Sequence, residues 1–131
     1  MARLATLDAR GRPSLVPIVY ARIGEELWSP IDGKPKRGGE LARLRNIRRD
    51  PRVSVLVDGW DEDWQRLWWI HLRGQARVER LASTALAALI ARYPQYRTVP
   101  TSDGSDCMLA IRIDAQTSWC ASPAAYRLSS V

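Results

Sequence analysis

A chain of 131 residues, 46% of them hydrophobic, is long enough for one domain with one core and too short for two; none of its apolar runs reaches the roughly 18 residues of a membrane-spanning helix. Lys and Arg outnumber Asp and Glu by 20 to 14, for a net charge of +6 and a pI near 10, which favours an anionic partner: nucleic acid, an acidic membrane surface or a phosphorylated small molecule. Cys107 and Cys120 lack CxxC spacing and His71 is the single histidine, so a zinc site would lack ligands, and the thiols read as free in a cytoplasmic protein without a signal peptide.

Arg3 to Leu7 and Pro13 to Ala21 carry β-type apolar residues around Asp8-Ala9-Arg10-Gly11-Arg12, whose Asp and Gly form turns, so this stretch predicts a hairpin. A second turn falls at Ile23-Gly24-Glu25-Glu26. Leu27 to Ile31 resumes an extended pattern, in which Pro30, unable to donate to a ladder, argues for a strand edge or bulge. After Gly38-Gly39, the residues Leu41, Leu44 and Ile47 recur every three positions until Asp50-Pro51, the signature of a short amphipathic helix. Arg52 to Asp58 is nearly continuous in apolar character, as expected of a strand covered on both faces. Gly59 to Arg66 reads as an acidic loop between aromatic residues.

Leu67 to Val78 alternates over the length of a long strand, with Gly74 marking a bulge. The Ala- and Leu-rich stretch from Ala82 to Tyr93 predicts a second helix, ended by Pro94. Thr98 to Asp106 reads as a loop. Met108 to Asp114 alternates again, and Thr117-Ser118-Trp119 extends or follows that last strand. The whole predicts one domain over residues 1–131, mainly β with two short helices, in which mostly antiparallel strands close into a barrel or open sandwich because closure removes exposed edges.

The densest chemical signal is Asp32-Gly33-Lys34-Pro35-Lys36-Arg37-Gly38-Gly39, a basic, glycine-punctuated stretch between a strand and a helix. Free N–H groups at a helix start carry partial positive charge, glycine lets the backbone approach an anion, and Lys or Arg adds full charge, so the pattern suits a phosphate. Read alone, it is also the pattern of a solvated turn.

Three stretches resemble the split β-barrels of the pyridoxamine 5′-phosphate oxidase superfamily. They are the opening hairpin with its Asp8-x-x-Gly11-x-Pro13 turn, the strand Leu27-Trp28-Ser29 followed by the basic loop, and the junction Asn46-Ile47-Arg48-Arg49-Asp50-Pro51-Arg52-Val53. Lys34-Pro35-Lys36, Val57-Asp58 with Asp63-Trp64, and Leu67-Trp68-Trp69 are similar to its deazaflavin-dependent branch in actinobacteria. The resemblance covers about Arg3 to Val78. Relatives usually carry a helix before the first strand, which is missing or truncated here.

The resemblance implies an FMN-binding type of antiparallel split barrel, assembled as a homodimer with its cofactor between the subunits. It implies that Lys34, Lys36 and Arg37 hold the cofactor phosphate, that Val16-Pro17-Ile18 and Trp28-Ser29-Pro30 line the ring, and that Trp68 and Trp69 contribute from the partner chain. The cofactor would be the deazaflavin coenzyme F420, or else FMN, and the protein an oxidoreductase moving a hydride to or from a small organic substrate. No nucleophile–base pair or paired carboxylates appear in the sequence, which fits an enzyme whose cofactor carries the chemistry. It fits equally a flavin or haem carrier without turnover. A nucleic-acid reader would interleave exposed aromatics with Lys and Arg, whereas the tryptophans here keep apolar company.

Overall fold

The computed structural model describes residues 1–31, 41–99 and 107–125. Among these residues, seven strands and two helices follow in the order β1 (Ala2–Leu7), β2 (Pro13–Ile18), β3 (Ala21–Ile23), β4 (Glu26–Pro30), α1 (Ala42–Arg49), β5 (Arg52–Gly59), β6 (Trp68–Arg80), α2 (Ser83–Arg92) and β7 (Cys107–Cys120). Single helical turns lie at Trp64–Arg66, Pro94–Arg97 and Pro123–Ala125. No helix among the described residues is long and apolar enough to cross a membrane.

All pairings are antiparallel, and the sheet runs β2-β1-β5-β6-β7-β4-β3. This is the split barrel: β5 pairs with the first half of β6, while β4 pairs with the first half of β7, so the two flanking groups of strands grip opposite ends of a long central ribbon. At the opening turn the Asp8 carboxylate accepts hydrogen bonds from the backbone N–H groups of Arg10 and Arg12, and Gly11 takes the left-handed conformation that Asp and Gly in this stretch predicted. The β3–β4 turn places Gly24 at a positive φ likewise.

Two sequence expectations are corrected in detail. Pro13 to Ala21 is two strands, broken at Val19-Tyr20; the fully buried Tyr20 turns inward beneath the Arg92 guanidinium, 4.7 Å from its ring. β4 pairs with β3 on one side and with β7 on the other. β5 is covered on one face only: Val53, Val55 and Val57 point into the core, while Arg52 and Leu56 stand exposed on the other side.

The main core lies between the inner sheet face and α1. Leu44 and Ile47 of the helix pack there with Leu4, Val55, Leu72 and Ile111. A second, smaller cluster sits under α2, where Ala85 and Leu89 meet Ala21 and Met108. The α1-to-β5 junction is pinned by Asn46, whose amide donates to Thr6 Oγ1 at 3.0 Å in the core.

Candidate functional site

Strands β2 and β4 stand near opposite ends of the sheet order, yet curling of the sheet brings their ends together. Pro17 and Ile18 of β2 and Ser29 and Pro30 of β4 line one cavity of about 280 Å³ with Arg43 of α1 and Tyr96. The prolines sit where their missing N–H costs nothing: β2 is an edge strand, and Pro30 lies past the end of β3, with only β7 beside it. Four of the residues expected to line a cofactor ring are thus gathered in one place.

Other expected residues lie elsewhere. Val16 faces inward, opposite Leu4, and packs on the main core. Trp28 points to the α2 side of β4, packed on the second cluster with the Arg77 guanidinium 5.8 Å over its ring. Lys34, Lys36 and Arg37 fall outside the described residues. Sequence reasoning missed Arg43 and Tyr96, which no motif flagged.

Trp68 and Trp69 line a separate, open groove of about 580 Å³ on the outer face, with Leu56, Asp58, Trp60 and Trp119 around it. Strand alternation sends one of the pair inward. Trp68 packs against the main core and lies over Gly59, where a β-carbon would collide with its indole, and still forms part of the groove wall; Trp69 stands 37% exposed. His71 lies in the groove, its Nε2 2.5 Å from Ser54 Oγ. Asp58 is bound by the Arg3 guanidinium.

The acidic loop is a set of turn formers: Asp61 accepts from the Asp63 N–H, and Asp63 accepts from that of Gln65. Near the cavity, burial pushes the Tyr20 phenol above its ordinary pKa, against the opposing pull of Arg92. Cys107 and Cys120 are both free thiols, the latter exposed.

Solved structures share this fold. A conserved hypothetical protein of Mycobacterium tuberculosis is 24% identical, with 99% of this chain matching 82% of that one at a TM-score of 0.68. The haem storage protein HutZ of Vibrio cholerae is 20% identical over 91% of this chain and 84% of its own, at a TM-score of 0.68. A haem-binding protein of Mycobacterium smegmatis is 21% identical, covering 92% of this chain but 52% of its own length, at a TM-score of 0.62. With the pyridoxamine 5′-phosphate oxidase sequence profile matching residues 1–120, the chain belongs to the pyridoxamine 5′-phosphate oxidase family.

Proposed function

We propose that this protein is a homodimeric oxidoreductase that binds a phosphate-bearing deazaflavin (F420), or alternatively FMN, at the cavity between the ends of β2 and β4. The observation that carries the reading is the convergence of Pro17, Ile18, Ser29 and Pro30 from strands distant in the sheet order. The wall combines apolar surface suited to a ring with Ser29 and Arg43 suited to a polar, anionic tail. Its volume of about 280 Å³ is at the lower end for a ligand of that size, so part of the cofactor would lie beyond it, against the basic stretch Lys34, Lys36 and Arg37 that follows β4 in sequence or against the partner. When bound, such a cofactor supplies two-electron chemistry; the protein's residues bind and orient it.

The test is titration of the purified protein with deazaflavin, FMN and haem, followed by absorbance and tryptophan fluorescence. Lys36→Ala should weaken deazaflavin or FMN binding about ten- to a hundredfold, since a hydrogen bond to a charged group contributes roughly 1.5–3 kcal/mol, and should reduce its salt dependence. Arg80→Ala, at the far end of β6, serves as the control. Equal affinity in both variants would place the phosphate elsewhere.

A second reading, a haem carrier without turnover, draws on His71 standing among tryptophans in the outer groove and on the haem-binding relatives. A haem absorbance shift that His71→Ala abolishes, with no affinity for either flavin, would favour it.

A further inference from the structure

The sequence sets no nucleophile beside a base, yet the sheet brings such a pair together. Ser54 and His71 are 17 positions apart in the chain. They stand on neighbouring strands and on the same outer face, because Val53 and Val55 of β5 and Ile70 and Leu72 of β6 take the inward positions. The register sets Leu56 opposite His71 and Ser54 opposite Arg73, so Ser54 and His71 are diagonal neighbours, a spacing that long side chains bridge. Ser54 Oγ meets His71 Nε2 at 2.5 Å. Two paired strands hold both groups, and strands fix such a contact more tightly than loops do.

Ser54 also lines a groove of about 290 Å³. Ala5, Leu7 and Pro13 give this groove apolar wall, and Arg52 and Arg73 bring two guanidinium groups to it. The two cations differ in state. Arg52 is tied to the Asp50 carboxylate at 2.6 Å, whereas Arg73 is exposed and has no hydrogen bond or ion pair among the described residues. A guanidinium in that state is suited to a carboxylate arriving from solution.

We propose that Ser54 and His71 form a nucleophile–base dyad that hydrolyses short-chain carboxylic esters, with Arg73 selecting those that carry a second, anionic carboxylate. In the tautomer with its proton on Nδ1, His71 accepts the Ser54 hydroxyl proton at Nε2 while Oγ bonds to the ester carbonyl carbon. The electron pair displaced onto the carbonyl oxygen returns as the bond to the alcohol oxygen breaks, and the alcohol leaves with the proton from Nε2. Water then attacks the acyl-Ser54 ester and gives a proton to Nε2. The acid is released as Oγ takes that proton back. Nothing is oxidised or reduced, so the reaction needs no cofactor and stands apart from the flavin reading.

Hydrolysis of mono-4-nitrophenyl succinate and of 4-nitrophenyl acetate by the full chain tests it, with mass spectrometry of the digested protein to locate acyl groups. The unsubstituted protein should release 4-nitrophenolate in a burst and carry the acyl group on Ser54. Ser54→Ala should abolish both burst and label, and Ser54→Cys should carry the label as a thioester. His71→Ala should lower kcat/KM about a hundredfold or more. Arg73→Gln should raise KM for the succinate about tenfold and leave the acetate unchanged. Arg80→Ala, at the far end of β6, is the control, and circular dichroism should be the same throughout. Assays over about a hundredfold range of protein concentration keep a second copy seated on this face from hiding the groove at the dilute end. Turnover that survives Ser54→Ala, a label confined to other residues, or no burst at any concentration overturns the proposal.

Discussion

At the scale of single residues, Asp50 shows chemistry the sequence pattern marked but could not explain. In the Asn46-to-Pro51 junction it reads as a helix stop, and Pro51 does end α1. The fold adds that its carboxylate accepts from Arg52 through Nε at 2.9 Å, Nη2 at 2.6 Å and the backbone N–H at 3.1 Å. Those bonds hold its pKa at about 2, below the ordinary value of 3.8. A carboxyl whose folded pKa is depressed contributes stability above its unfolded pKa and loses it as pH falls through the folded one. The loss therefore lies between about pH 4 and 2, and Asp50→Asn should flatten the acid limb of urea stability there while leaving the curve near neutral pH with the same slope. An acid limb identical in the variant would show the Arg52 pair to be immaterial. The site residues divide on similar grounds. Val16-Pro17-Ile18 and Trp28-Ser29-Pro30 were expected as whole runs from the resemblance, and because alternation sends strand neighbours to opposite faces, Val16 and Trp28 pack on the two cores away from the cavity.

At the scale of elements, the long strands, both helices and the first turn were legible because each carries a period or a turn former. The break at Val19-Tyr20 was not, since a buried tyrosine at a kink has the composition of a strand. Neither was the one-sided cover of β5: Leu56 makes the strand look continuous in sequence, and only the register shows that it joins an outer apolar patch. The bulge at Gly74 was legible, although the extra residue is on the other strand. The register passes from Arg73 opposite Ala115 to Gly74 opposite Ile113, leaving Asp114 unpaired. A β-carbon at Gly74 would collide with the carbonyl oxygen of Arg112, backbone that cannot swing aside as a flexible side chain can. Gly74→Ala should therefore cost about 3 kcal/mol or more, read as a lowered urea midpoint with the slope retained. A cost under about 1 kcal/mol would mean that the ribbon can separate at the bulge without loss.

At the scale of the whole molecule, the proposed homodimer would couple assembly to stability. If folded chains pair through the Trp69–Trp119 row and unfolded chains do not, dilution favours unfolding by mass action, and the thermal midpoint must depend on protein concentration. About a hundredfold change in concentration is worth roughly 2.7 kcal/mol per dimer. Unfolding entropy near 2.1 cal/mol/K per residue, taken over two chains of 131 residues, is about 0.55 kcal/mol/K, so the midpoint should rise by about 5 °C across that range. Ala115→Arg, which sets a long cation on the same sheet face as Trp69 and Trp119, should remove the dependence and melt at one temperature throughout. Ile23→Arg should keep it, because that side chain lies on the β3–β4 hairpin, away from Trp69 and Trp119. Differential scanning calorimetry at the two ends of the range distinguishes these outcomes without reference to any cofactor. A midpoint that stays fixed in the unsubstituted chain would show that the exposed tryptophans of this face do not join two copies.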